Sequence, residues 1–428
     1  MDIRYHITGG IPLQGEVTIS GSKNAALPLI AGSVLVSGIT VLHNVPRLRD
    51  TETLLKILEF LGATTHFENG TATIDTTKLE SKPIPSELVS KLRGAIVLLG
   101  PLLARFGVVE MSYPGGCVLG KRPVEAHVLA LLQMGAENMS TSDVIHLQGK
   151  LQPSRIIMPA FSVTATEIAI WAAAATVGET RIDIATAEPH VQAVCRMAQE
   201  MGARVEGIGT NTLIIHGVGH LRAVEFRVPF DYLEAGLFVI AALVTKGKLR
   251  LRDVDANDLI VFLDTIRRAG GLWKYDPAER VLFVDGELSI LQSMKVQTGI
   301  HPGFPTDLQA PMGVLMTQAK GVSRIFECIF EGRMAYLYEL EKMGVHMEIL
   351  NAHQALIIGP TPLKGRTVAS NDIRAGAAMV LAGLCAEGRT IVTDVHYIER
   401  GHDRLDEKLR SVGAKIDRVV VDAPPPQS

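Results

Sequence analysis

An excess of charge of either sign is missing from this sequence: 42 Lys and Arg stand against 45 Asp and Glu, a formal net charge of −3. So near a balance gives no general attraction for nucleic acid or an anionic membrane, and each cation has to be judged by its own position. Long apolar runs are missing too. The Ala-rich stretches around Ala169 to Val177 and Ala375 to Ala386 fall short of the roughly 18 residues of a membrane span, and read as buried helices. Cysteine is scarce. Cys117, Cys195, Cys328 and Cys385 lie far apart, with no C-x-x-C and no zinc-type pairing with histidine, which argues against a disulfide framework and suits a reduced, cytoplasmic setting. The opening MDIRYHITGG has neither the basic nor the apolar region of a signal peptide, so no export is expected. No H-E-x-x-H, calcium loop or dinucleotide fingerprint occurs, and no metal or cofactor is expected. His43, His66, His127, His146 and His216 are scattered without ligand spacing and are expected to be packing or surface residues.

What the chain does have is length and repetition. A sequence of 428 residues, 47% of them hydrophobic, is enough for at least two cores. An apolar helical pattern ending in a Gly-Ala-like turn, followed by an alternating strand pattern, recurs at Gly62, Gly135, Gly202, Gly270, Gly344 and Gly413, at intervals of 73, 67, 68, 74 and 69. A second series, Gly38, Gly107, Gly178, Gly247, Gly321 and Gly388, repeats at 69, 71, 69, 74 and 67. Glycine after a helix has a physical cause, because it takes the left-handed C-cap conformation at little cost. Two series of one period define six copies of a unit of about seventy residues, each with two helices that lead into β-type sequence. The helices are apolar on several faces, as in Ala235 to Val244, and helices of that kind belong inside. The expected fold is α/β, with buried helices behind solvent-facing sheets, three units in each of two domains, and a break near Val228-Pro229.

Unusual polar residues collect where the helices begin. Lys23 and Asn24, Arg93, Ser162 with Val163 and Thr164, Asp231, Asp307, and Asp372 with Arg374 open the first helices. The second helices are entered through Arg47, the stretch Cys117 to Arg122, Glu188, Asp255, Arg333 and Arg400. Free N–H groups and partial positive charge at helix amino ends, with basic side chains beside them, suit a phosphate or carboxylate ligand. Taken singly, Asp231, Asp307 and Asp372 also fit plain helix caps, and Lys23, Arg93, Arg374 and Arg400 fit solvated surface charges.

Two motifs stand out. Tyr113 to Pro123, Y-P-G-G-C-V-L-G-K-R-P, holds one thiol between glycines and two cations, and Lys121 and Arg122 would draw the pKa of Cys117 toward neutrality. Gly115 to Lys121 also satisfies the opening of a P-loop, but Arg122 stands where that motif needs Ser or Thr, so a P-loop nucleotidase is set aside. In H-P-G-F-P-T-D-L-Q, residues 301–309, a turn fixed by two prolines and a glycine delivers Asp307 to a helix start. There it can cap the helix, or orient and deprotonate a hydroxyl.

With these stretches, the chain resembles the enolpyruvyltransferase family nearly from end to end. The likeness runs through G-E-V-T-I-S-G-S-K-N-A-A-L-P at 15–28, R-G-A-I-V-L-L-G-P-L-L-A-R at 93–105, P-G-G-C-V-L-G-K-R-P-V at 114–124, H-P-G-F-P-T-D-L-Q-A-P at 301–311, F-E-G-R at 330–333 and N-D-I-R-A-G-A-A at 371–378. The resemblance implies two inside-out α/β barrel domains, residues 22–229 forming one and 1–21 with 230–428 the other, and an active site in the cleft between them. It implies transfer of the enolpyruvyl group of phosphoenolpyruvate to the 3-hydroxyl of UDP-N-acetylglucosamine, with no cofactor. By the same resemblance Cys117 is the acid on a mobile loop and Asp307 the base candidate. Lys23, Arg122 and Arg400 look like phosphoenolpyruvate ligands, and Arg93, Phe330, Arg333, Asp372 and Arg374 like further members of the site. Asn24, Arg122, Pro123, Val124, Ser162, Val163, Thr164 and Asp307 look like contacts to the nucleotide sugar.

The departures cluster on the acceptor side. S-V-T replaces the family's S-V-G at 162–164, A-E-P-H-V replaces R-E-P-E-I at 187–191, D-Y-L-E replaces D-R-I-E at 231–234, G-R-M-A-Y replaces N-R-F-M-H at 332–336, and H-Y-I-E-R replaces Y-H-I-D-R at 396–400. A different nucleotide or nucleotide-sugar acceptor therefore stays open, as does a repeat scaffold that binds a partner without turnover.

Overall fold

The computed structural model describes residues 2–114 and 124–421. These divide into two compact units, Gly21–Pro229 and Met1–Ser20 with Phe230–Ser428. Each unit has its own apolar core: one is built around Trp171, Leu29, Ile30 and Leu42, the other around Tyr5, Phe238, Phe262 and Tyr336.

Six sheets are present among the described residues, three to a unit, and they share one plan. In the third repeat Arg155–Ile157 runs parallel to Gly178–Asp183, which pairs antiparallel with Thr212–Gly217, which pairs antiparallel with Arg204–Glu206. The first repeat follows the same order and takes its parallel edge strand, Glu225–Arg227, from the end of the unit. In the second repeat the parallel edge shrinks to a single bridge between Ile84 and Met111. The other unit completes itself with the start of the chain. Asp2–Thr8 lies between Arg389–Thr393 and Lys415–Val421, and Gln14–Thr18 runs parallel to Lys248–Arg252. This pairing is why the first twenty residues group with the last two hundred or so rather than with their sequence neighbours.

Strand sequences dictate which way each sheet faces. In Lys248–Arg252, K-L-R-L-R, Leu249 and Leu251 are buried and the three cations exposed, as a period of two requires. Behind the sheets lie the first helices of the repeats, Lys23–Gly32, Leu99–Phe106, Val163–Ala174, Tyr232–Val244, Gln309–Gln318 and Ile373–Cys385. All thirteen residues of Tyr232–Val244 are buried. These helices approach closely: a Cβ on Gly100 would sit 2.3 Å from the Ile168 carbonyl oxygen. No sheet closes on itself among the described residues, so each expected barrel is a set of three open sheets around buried helices.

All six glycines of the first series have positive φ, from 85° at Gly270 to 119° at Gly202, as the C-cap reading requires. The second series holds at Gly107, Gly178, Gly321 and Gly388 and departs at Gly38 and Gly247. Lys246 takes the left-handed conformation instead, with φ 53°. Gly247 is needed for space, since its Cβ would fall 2.2 Å from the Leu13 carbonyl oxygen. No helix among the described residues is long and apolar enough to cross a membrane.

Candidate active site

In the Gly21–Pro229 unit the functional candidates sit on the amino ends of buried helices. Ser22 caps Lys23–Gly32 by accepting from the Ala25 N–H at 3.4 Å. The cap starts the helix at Lys23, whose Nζ lies 2.6 Å from Asp50 Oδ2 in a nearly buried ion pair. Asp50 is the second residue of Arg49–Phe60, where an acid is favoured by the helix dipole. Asn24 follows Lys23 and is half-buried. Arg93, also half-buried, opens the 3-10 turn Arg93–Leu98.

Ser162 is the N-cap of Val163–Ala174 but makes no side-chain cap bond. Thr164, in the first turn, is tied down: its Oγ1 lies 2.7 Å from Nε2 of the buried His127. Burial pushes the His127 pKa down to about 4, and the Arg93 charge pushes the same way, so this imidazole is neutral at pH 7. The side chain that the sequence introduces at 164 is thus held against its own unit. One turn further, Glu167 is fully buried, and burial together with the Glu188 charge raises its pKa well above the carboxylate range. Val124 precedes Glu125–Gln133, and its carbonyl accepts from the N–H groups of His127 and Val128 at 3.0 and 3.2 Å. Cys117, Arg122 and Pro123 lie outside the described residues, as do Gly115, Gly116 and Lys121.

The other unit places an ionic triad at a helix entrance. Asp307 sits in the short turn Thr306–Leu308 ahead of Gln309–Gln318 and does not cap it. Arg333 Nη1 donates to its Oδ1 at 2.7 Å, and Arg374 Nη2 lies 2.8 Å from its Oδ2. Burial alone would raise the Asp307 pKa, but the two guanidinium groups overcome it and hold the carboxyl well below its usual range. The Phe330 ring lies beneath the Arg333 guanidinium, 4.7 Å from centroid to Cζ. Asp231 and Asp372 do something else. Asp231 accepts from the N–H groups of Leu233 and Glu234 at 2.8 and 3.1 Å, and Asp372 from those of Arg374 and Ala375 at 2.7 and 2.9 Å. Both are helix caps, whereas Asp307, with the same sequence signature, caps nothing and holds two arginines. The Asp372 cap has a local use, because it fixes the helix start from which Arg374 reaches Asp307. Arg400 ends the 3-10 turn Val395–Arg400 and is half-buried.

The EPSP synthase (3-phosphoshikimate 1-carboxyvinyltransferase) model matches residues 7–409. The chain belongs to that family. Within it, a UDP-N-acetylglucosamine 1-carboxyvinyltransferase of Chlorobium phaeovibrioides is 42% identical over 416 residues, covering 96% of this chain and 97% of the relative. The enzyme of that name from Methylacidiphilum infernorum is 40% identical, covering 97% and 99%. Among solved structures, the enolpyruvyl transferase NikO of Streptomyces tendae superposes with a TM-score of 0.89 at 24% identity, over 98% of this chain and all of that one. EPSP synthase of Acinetobacter baumannii superposes at 0.76 and 19%, over 98% and 100%. At such identities these two structures speak for the fold.

Several residues packed near the candidate side chains were not visible as candidates in the sequence. Asp50, beside Lys23, has as its signal an acid in the first turn of an amphipathic helix. His127 looked like any scattered histidine, while His43, His66, His146 and His216 each lie near a glutamate at the surface. Glu327 is fully buried and accepts from Thr298 Oγ1 at 2.9 Å, Thr306 Oγ1 at 2.8 Å and the N–H groups of Ile329 and Phe330 at 2.8 and 3.2 Å. A lone acid inside I-F-E-C-I-F was its signal. Tyr336, one of the acceptor-side departures, is 1% exposed and belongs to the core, where a Cβ on Gly313 would meet its hydroxyl at 2.2 Å.

Proposed function

We propose that this protein transfers the enolpyruvyl group of phosphoenolpyruvate to the 3-hydroxyl of UDP-N-acetylglucosamine and releases phosphate, the committing step of peptidoglycan synthesis. The observation that carries this reading is the 42% identity over 96% of the chain to a relative that bears this activity's name. The chemistry asks for a proton delivered to the methylene carbon of the enolpyruvate, a new C–O bond at its neighbour, and a proton lost from the attacking hydroxyl. Phosphate then leaves, and loss of a proton from the newly formed methyl group restores the double bond. A matched acid and base, with cations around the shifting charge, are what such a reaction needs.

In this proposal Cys117 is the acid, and Lys23, Arg122 and Arg400 hold the phosphate and carboxylate of phosphoenolpyruvate. Asn24, Arg93, Pro123, Val124, Ser162, Val163 and Thr164 receive the nucleotide sugar. Asp307 meets the sugar hydroxyl, while Arg333, Arg374 and Phe330 hold Asp307 in place and Asp372 fixes the helix behind it. An aspartate clamped by two guanidinium groups is a weak base, so its first task is to orient the hydroxyl, and proton transfer follows as the C–O bond forms. The test is phosphate release from phosphoenolpyruvate with UDP-N-acetylglucosamine as the only acceptor. Release that depends on the sugar supports the reading; silence with this sugar but turnover with another nucleotide or with a shikimate phosphate would replace it.

A further inference from the structure

Of the donors gathered on Glu327, one leads to the candidate site. Thr306 Oγ1 donates to Glu327 Oε2 at 2.8 Å, and the same oxygen accepts from Arg333 Nη1 at 2.8 Å. Arg333 in turn donates from Nη1 to Asp307 Oδ1 at 2.7 Å. A hydroxyl has one hydrogen and two lone pairs, and a carboxylate has no hydrogen to give. With its hydrogen spent on Glu327, the Thr306 oxygen can only turn its lone pairs toward the guanidinium. Glu327 is itself immobile: Thr298 and two backbone N–H groups hold it, and Thr298 Oγ1 also accepts from the Cys328 N–H at 2.8 Å. The sense of each bond is therefore fixed: Arg333 donates to both Thr306 and Asp307, and Thr306 gives its own hydrogen to the buried Glu327 carboxylate.

From this geometry we infer that Glu327 and Thr306 are positioning residues that set the angle of Arg333 and hence the Asp307 carboxylate. Neither was singled out as a site residue by sequence pattern, and neither needs to touch a substrate. The other charged groups around the triad are Arg374 on Asp307, Asp231 and Tyr232 near Arg374, and Tyr336 near Glu327. The inference rests on the proposed transfer reaction for its functional consequence, but not for the linkage itself.

Two measurements on the full-length protein keep these apart. Thr306→Val removes the hydroxyl at nearly constant shape and should lower kcat about 10- to 100-fold, the span of a hydrogen bond to a charged group, with KM for both substrates within about threefold. Thr306→Ser keeps the hydroxyl and should restore kcat to within about threefold. Glu327→Gln, whose amide can donate and so reverse the hydroxyl, should match Thr306→Val, and the double variant should be no slower than Glu327→Gln alone. The second measurement needs no turnover: the melting-temperature losses of Thr306→Val and Arg333→Met should fail to add, because both break one linkage. Wild-type kcat in Thr306→Val, or a loss shared equally by Thr306→Ser, overturns the positioning role. Additive melting losses overturn the linkage. A wild-type protein without transfer activity but with non-additive melting leaves the linkage standing and removes the proposed reaction instead.

Discussion

Replacing Asp307 by Asn should destabilise the unit that contains it, although many substitutions of active-site acids do the reverse. The reason is local charge. Asp307 is the carboxylate that meets both Arg333 and Arg374, whose side chains are only 8% and 13% exposed. Without it two nearly buried guanidinium groups face each other across a neutral amide, and Arg374 keeps the more distant Asp231 charge. Breaking a buried pair by removing one partner costs about 3 to 5 kcal/mol. For a domain of this size each kcal/mol moves the melting temperature by about 2–4 °C, so a loss of roughly 10 °C is expected. Calorimetry on the full chain at pH 7.5 reads it directly. The pH dependence gives a second check. The folded-state pKa of Asp307 lies below the unfolded value of about 3.9, so its stabilisation is complete above that pH and fades as pH falls toward the folded value. The gap between wild type and variant should be constant from pH 8 to 5 and narrow below about pH 4. An unchanged or raised melting temperature in Asp307→Asn would refute the assignment of the triad as a stabilising cluster.

Three further outcomes follow from the other unit. Asp50→Asn removes the charge that holds Lys23, and should raise KM for phosphoenolpyruvate about tenfold while KM for the sugar stays within about twofold, measured in steady-state assays. Glu167→Gln should stabilise the protein at pH 8. The folded pKa of Glu167 is raised, so its contribution is fully present below about pH 4.3 and lost as pH rises through the folded value, at about 1.4 kcal/mol per pH unit; melting curves at pH 5 and 8 should diverge accordingly. Cys117→Ser should abolish turnover at neutral pH with an unchanged melting temperature, because a serine hydroxyl is far too weak an acid to replace the thiol.

The repeat was legible because its glycines answer a backbone requirement. Gly62, Gly135, Gly202, Gly270, Gly344 and Gly413 are all left-handed, and few residues other than glycine take that conformation cheaply. Where space rather than φ was the requirement, as at Gly247, the letter in the sequence was the same and the cause could not be told apart. The three helix-start aspartates show a similar limit. Asp231, Asp307 and Asp372 carry one signature, yet two accept from backbone N–H groups at their own helix starts and one holds two arginines, one 26 residues on and one in the next repeat. Long-range partners of that kind leave no local pattern. Glu327 and Asp50 were hidden for this reason, and so was the bond between Thr164 and His127, 37 residues apart.

The most direct test of the central claim is to identify the product. Incubation of the purified protein with phosphoenolpyruvate and UDP-N-acetylglucosamine, followed by NMR of the nucleotide-sugar fraction, should show a vinyl ether on the 3-oxygen formed in equal amount to the phosphate released. Phosphate released without that ether, or an ether formed only on a different acceptor, would contradict the account.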